Sequence, residues 1–366
     1  METKTNLINE QNKFILFSPH LFLPSGVILI DLFQYLKSLG EQKFFLLISQ
    51  SVYSKTSERL QELPGYDESA VMVRSGEPTI KEQEQYKEKI RANQYDFVLA
   101  VGGGSVLDLA KSIKEDISIP LVVVPTTPAT GSEATPYAVL INQENKTKSI
   151  INSQKIIPEV VVLDPGLVSS LPKKQLGFSL MDILAHSLEA LVSKKSNVLS
   201  DSFVFESLRL IKNNYHRLEG DKKILEPFLL SGFLGGLAQN MAAVGLVHAF
   251  AHYFGPRYNV PHSQAISLFL EPVLELNMSR TDKYEKLNAA NVVSKEDLLS
   301  LIQRIKLKFE IRDEKIRLPV DFDRAEAIQK IRRDVCSMTN PILASEEEIA
   351  QIIDRCTIID ESKNAN

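Results

Sequence analysis

The chain has 366 residues, 44% of them apolar and 24% charged, and a formal net charge of −4 at neutral pH. That length exceeds one ordinary hydrophobic core and implies two domains, and a mildly acidic balance without a basic cluster argues against nucleic acid as the main partner. No apolar run reaches the length of a membrane span, the start METKTNLINEQNK is polar, and Cys336 and Cys356 match no metal or redox spacing, so the expectation is a cytoplasmic protein with incidental thiols and no membrane partner.

Taken in chain order, FILFSPHLFLPSGVILIDLFQYLKSLG carries apolar residues at strand and then helix spacing and closes at Gly40. KFFLLISQS, residues 43–51, is a short apolar run between polar residues and reads as a buried strand. A charged helix follows, then VMVRSG as a second strand and a polar helix through EQEQYKEKIRANQ. YDFVLAVGGGSVLDLAKSIK predicts a strand over Asp96 to Val101, a glycine corner and a helix from about Val106. PLVVVPTT, residues 120–127, and VVVLDPG, residues 160–166, are two further strands. Strands alternating with helices imply a parallel sheet with helices on its faces. From about Leu167 helical periodicity takes over, so the expected boundary divides an α/β domain, residues 1–166, from an all-helical domain, residues 167–366.

Two stretches of the first half carry chemistry. Gly102, Gly103, Gly104 and Ser105 stand where a strand gives way to a helix; glycines there let the backbone approach a phosphate, whose charge the free N–H groups of the helix start stabilise. The match to the dinucleotide fingerprint is incomplete, since Leu107 stands where its last glycine would be. Pro125-Thr126-Thr127-Pro128-Ala129-Thr130-Gly131-Ser132-Glu133 adds hydroxyls at a strand end, suited to phosphate or ribose or to capping the next element.

The second half holds the histidines. His248 and His252 are four apart in an unbroken apolar run, so a helix projects both from one face; turn signals follow at Gly255 and Pro256, and then His262 after Pro261. His186 lies four residues after Asp182 in LMDILAHSLEALVS, which reads as a buried helix with both groups on one face. A single buried histidine is ordinarily a satisfied core side chain. Several imidazoles and a carboxylate buried without partners would cost several kcal/mol, and together they suit iron(II) or zinc.

With these residues in view, the chain resembles the iron-containing, group III alcohol dehydrogenase family. GGGSVLDLAKSI, PTTPATGSEATPYAVL, MDILAHSLEALVS and GLVHAFAHYFGPRYNVPH carry the likeness in family order, and CSMTNPILASEEEIAQII resembles the family's closing segment. The resemblance implies a Rossmann-like N-terminal domain and a helical C-terminal one, the fold shared with dehydroquinate synthase, with the active site between them. It also implies that Asp182, His186, His248 and His262 bind the metal and that His252 stands near the nicotinamide and substrate as a proton relay. Implied cofactor contacts are Gly103, Gly104, Ser105, Thr126, Thr127, Thr130, Thr135 and Lys148. The expected activity is NAD(P)-linked interconversion of an alcohol with its aldehyde or ketone, by a homodimer carrying Fe(II) or Zn(II). Maleylacetate reductase, glycerol dehydrogenase and a catalytically silent binding protein are the alternatives.

Several positions depart from the family pattern. Gln50 stands where many relatives carry an acidic residue that selects NAD, leaving NAD against NADP open. Gly76-Glu77-Pro78-Thr79 is a shortened loop with one cofactor contact fewer, and Leu180 and Ser263 replace smaller residues. Arg257 reads as a surface charge or as a contact for an anionic substrate.

Overall fold

The computed structural model describes residues 20–22, 37, 42–144, 147–169, 171–217 and 225–360. The helix expected to close at Gly40 lies outside these. Six parallel strands form one sheet: β1 His20–Phe22, β2 Phe44–Ser49, β3 Val71–Arg74, β4 Phe97–Gly102, β5 Leu121–Pro125 and, after a hairpin, β8 Val160–Val162. Their order is β1-β8-β5-β4-β2-β3. The runs FFLLIS, FVLAVG and LVVVP show no alternation because both faces of the sheet are buried. Phe45, Leu47, Val98, Ala100 and Val123 face one core, which continues into the helical half, while Phe44, Leu46, Leu99, Val101 and Val124 face the other.

Helices α1 Gln50–Leu60, α2 Ile80–Asn93 and α3 Gly104–Ile117 connect the strands. The antiparallel hairpin β6 Tyr137–Asn142 and β7 Thr147–Asn152, which the alternation of strands and helices did not predict, interrupts the path from β5 to β8. A half-buried carboxylate and a fully buried ammonium on α3 fasten it. Asp108 accepts from Ser132 Oγ at 2.6 Å and Val139 N at 3.0 Å. Lys111 Nζ donates to Ser132 O at 2.7 Å, to Ser132 Oγ at 3.0 Å and to the carbonyl of Tyr137. Burial pulls the Lys111 ammonium down to about 8, against the pull of Asp108.

The helical half begins at α4 Pro165–Val168. Helix α5, Lys173–Val192, is buried from Leu176 to its end and packs against α6 Val198–Asn214, α7 Glu226–Ala242, α8 Leu246–Tyr258, α9 His262–Arg280 and, past α10 Glu285–Ala289, α11 Lys295–Lys308. The remaining elements are β9 Ile316–Leu318, α12 Arg324–Arg333, α13 Val335–Thr339, α14 Glu346–Cys356 and β10 Thr357–Ile359. The β9–β10 pair is parallel, so this half is not purely helical. Nor does α8 stop at Gly255-Pro256. Pro256 has no N–H to bond the preceding turn, yet α8 runs on to Tyr258, where Asn259 takes the left-handed conformation at φ 55°. Among the described residues no single helix is long and apolar enough to cross a membrane.

Lys111→Met would leave half-buried Asp108 without its cation and the Tyr137 carbonyl and the Ser132 oxygens without the ammonium's bonds. The expected loss is about 3 kcal/mol of unfolding free energy, read by denaturant titration; an unchanged midpoint would show that the clamp contributes nothing.

Candidate active site

Asp182 and His186 sit one turn apart on the fully buried part of α5, and His248 comes from the first turn of α8. The first residue of α9 is His262, delivered by Pro261. All three imidazoles turn Nε2 toward the same oxygen, Asp182 Oδ1: His186 at 3.5 Å, His248 at 3.8 Å and His262 at 3.9 Å. Asp182, His186 and His248 each offer a ligand atom within 4.8 Å of the others, and His262 joins the group through Asp182. The rings of His186 and His248 stack with centroids 4.9 Å apart.

Charge in this cluster lacks the usual compensation. Asp182 Oδ1, His248 Nε2 and His186 Nδ1 are buried without a hydrogen-bond partner. Burial, with Glu189 nearby, raises the Asp182 carboxyl well above its ordinary range. Burial and the adjacent His248 hold His186 well below the ordinary imidazole range, and burial followed by His252 takes His248 to about 3. Neutral imidazoles are lone-pair donors, and an uncompensated carboxylate is costly to desolvate, so the donor set fits a divalent transition metal.

Glu189, which the sequence reading passed over, steadies the cluster from behind. Its Oε2 lies 2.6 Å from His248 Nδ1, and its Oε1 accepts from Val247 N at 2.6 Å. A carboxylate on the far nitrogen of a ligating imidazole fixes its tautomer and ring plane. Burial pushes the Glu189 carboxyl up to about 7, against the N–H groups of Gly245 and Val247. Asn340, in the closing Asn-Pro segment, bonds reciprocally with Asn277 and accepts from Leu246 N at 3.3 Å, which anchors the start of α8. A Cβ on Gly245 would stand 2.9 Å from Asn340 Oδ1 and 3.0 Å from Glu189 Oε1, so glycine is needed there.

His252, one turn beyond His248, has a side chain 45% exposed and rings His248 and His262 each 6.2 Å away. Its Nδ1 is 3.4 Å from Asp334 Oδ2 and 3.9 Å from Cys336 Sγ. Neither partner is an evident candidate in the sequence, since more than eighty residues separate them from His252. Arg257 lies over the Tyr253 ring at 4.2 Å and 3.9 Å from Glu326, as a surface charge would.

The glycine corner forms where β4 ends beside β5. Gly102 pairs with Pro125, Thr126 N donates to Gly102 O at 3.0 Å, and α3 starts at Gly104, slightly ahead of the expected Val106. A Cβ on Gly103 would lie 3.5 Å from Thr127 Oγ1, and one on Gly104 would lie 3.9 Å from Thr130, so these threonines border the corner with Ser105. Thr126 and Thr135 are buried, and Thr130 Oγ1 donates to Glu133. Lys148 pairs with Ile141 across the hairpin, and its side chain lies outside the described residues. Exposed Gln50 opens α1 directly after β2. Thr79 of the shortened loop caps α2, with its Oγ1 2.9 Å from Glu82 Oε2. Gly131, at φ 59°, carries the threonine loop toward the metal cluster: its Cβ would lie 3.5 Å from His186 Cε1.

Fold and sequence agree on the class of protein, a dehydrogenase. A model of iron-containing alcohol dehydrogenases matches residues 26–165, and one of the C-terminal region of the Fe-containing alcohol dehydrogenase family matches residues 178–357. The 1,3-propanediol dehydrogenase of Klebsiella pneumoniae is 30% identical over 294 residues, 72% of this chain and 76% of that one. The NAD-dependent methanol dehydrogenase of Bacillus methanolicus is 25% identical over 358 residues, 87% of this chain and 93% of that one. Among solved structures, sulfoacetaldehyde reductase from Bifidobacterium kashiwanohense in complex with NAD+ superposes with a TM-score of 0.81 at 20% identity, covering 93% of this chain and 98% of that one. The chain belongs to the iron-containing alcohol dehydrogenase family. It is an NAD(P)-linked, metal-dependent oxidoreductase acting on small alcohols or their carbonyl counterparts, and the maleylacetate reductase, glycerol dehydrogenase and silent-protein alternatives are not favoured.

Glu189→Gln keeps the shape but weakens the orienting bond to His248. Metal affinity, measured by competition with a chelator, is expected to fall about tenfold to a hundredfold. Unchanged affinity in a folded variant would remove Glu189 from the account.

Proposed function

We propose that Asp182, His186, His248 and His262 together hold one divalent metal, iron(II) or zinc, and that the enzyme interconverts a short primary alcohol and its aldehyde beside it. The approach of three imidazole Nε2 atoms to Asp182 Oδ1, at 3.5 to 3.9 Å, carries this reading. When bound, the metal supplies Lewis acidity to the substrate oxygen and the nicotinamide supplies the hydride chemistry. The chain's own residues do the rest. Gly103, Gly104 and Ser105 offer backbone and hydroxyl donors to the pyrophosphate, with Thr126, Thr127, Thr130, Thr135 and Lys148 along the cofactor's path. His252 exchanges the substrate's hydroxyl proton with solvent, a role supported by its exposure and its place one turn from His248. Buried α5 and α8 exclude water from behind the reacting oxygen.

The same reading divides the chain at residue 166 into a nucleotide-binding half and a catalytic half. Support comes from the last sheet strand ending at Val162 and the helices beginning at Pro165. It takes the working form as a cytoplasmic homodimer, with nucleic acid and membrane playing no part. Gln50 neither repels a 2′-phosphate nor binds the 2′-hydroxyl strongly, so both NADH and NADPH belong in the assay.

Chelator-stripped protein reloaded anaerobically with iron(II) or zinc is expected to recover aldehyde-dependent nicotinamide oxidation. His262→Ala should lower that turnover by at least about a hundredfold while leaving nucleotide binding intact. Full turnover in the stripped protein, or in His262→Ala, would contradict the assignment.

A further inference from the structure

His252, Asp334 and Cys336 bring a nitrogen, an oxygen and a sulfur together beside the Asp182 cluster, each within 4.8 Å of the others. The separations are 3.4 Å from His252 Nδ1 to Asp334 Oδ2 and 3.9 Å from His252 Nδ1 to Cys336 Sγ. A charge-assisted hydrogen bond runs to about 2.8 Å, so 3.4 Å is long for one. Two ligands of one tetrahedral zinc stand about 3.4 Å apart for nitrogen and oxygen and about 3.6 Å for nitrogen and sulfur, given the usual bond lengths. Asp334 is held for such a role, because its Oδ1 accepts the Cys336 N–H at 2.8 Å and caps α13, leaving Oδ2 turned to His252. Access comes through His252, whose side chain is 45% exposed, whereas Cys336 is only 8% exposed. Sulfur and imidazole select zinc-like ions over magnesium or calcium.

We infer that His252, Asp334 and Cys336 form a second metal site, one that takes a soft divalent cation such as zinc, and that its occupancy halts turnover by tying up His252. Burial, and then Asp334, keep the Cys336 thiol protonated in the metal-free site. Binding therefore releases the thiol proton to solvent as the sulfur–metal bond forms, with no change of oxidation state. The inhibitory half rests on the relay role proposed for His252; the binding half does not.

Cobalt(II) is the probe. The Asp182 cluster offers only nitrogen and oxygen, so absorption from thiolate-to-cobalt charge transfer reports the second site alone. Metal-stripped full-length protein titrated with cobalt is expected to bind two equivalents and to develop this absorption. Cys336→Ala should bind one equivalent without it, and Asp334→Asn, which can still cap α13, should bind the second equivalent at least about tenfold more weakly. One equivalent in the wild type with no thiolate absorption would overturn the site. Zinc added to iron-loaded enzyme, with iron retention checked after desalting, is expected to slow turnover on the order of a hundredfold and to spare Cys336→Ala. Undiminished turnover in protein that shows the cobalt band would overturn the coupling to His252 while leaving the binding site intact.

Discussion

Desolvation of the Asp182 carboxyl among three imidazoles is the constraint around which the helical half is arranged. A buried carboxylate with Oδ1 left without a hydrogen-bond partner is tolerable only if its charge is neutralised by a proton or a cation, and neutral imidazoles cannot supply that charge. The surrounding structure keeps Asp182, His186 and His248 from turning away to water, while His262 closes the group from an exposed position. Helix α5 is buried along most of its length, Glu189 holds both His248 and the backbone of Val247, and the Asn277–Asn340 pair fixes the start of α8. Each contact is ordinary in strength, but all converge on the orientation of His248.

Close packing joins the metal cluster to the nucleotide corner. Helix α7 meets the threonine loop through Gly232 and Gly236 and meets α5 through Gly235; a Cβ on Gly232 would stand 1.5 Å from Pro128 O, one on Gly236 3.1 Å from Gly131 Cα, and one on Gly235 3.3 Å from Ser187 Oγ. Backbone against backbone leaves little room for the loop to shift without moving His186 or Ser187, which lie against the same helix. From the other side Asp108 and Lys111 hold Ser132, so one short loop is gripped by both halves of the chain. The Asp182 cluster and the glycine corner proposed for the cofactor's phosphates are therefore tied to the same backbone.

Much of this was legible in the sequence because the signals are local. Continuous apolar runs marked the buried strands, the glycine corner marked the β4–α3 junction, and the spacing of Asp182 with His186 placed both on one helical face. The hairpin escaped notice because YAVLIN and TKSIIN mix polar and apolar residues without clean alternation. Glu189 left a usable signal, seven residues after Asp182 and three after His186 on the same stripe. Asp334, Cys336 and Asn340 left none that spacing could expose, because tertiary packing alone brings α13 beside α8. Pro256 misled in the ordinary way, since a proline in the last turn need not end a helix.

One carboxylate and three imidazoles are proposed as the metal's protein shell. X-ray absorption at the iron edge, on protein reconstituted with one equivalent of iron(II), tests it most directly. A shell of nitrogen and oxygen scatterers at about 2.1 Å is expected, with imidazole outer-shell scattering that diminishes in His262→Ala. A sulfur scatterer at about 2.3 Å, or a shell indifferent to His262, would contradict it.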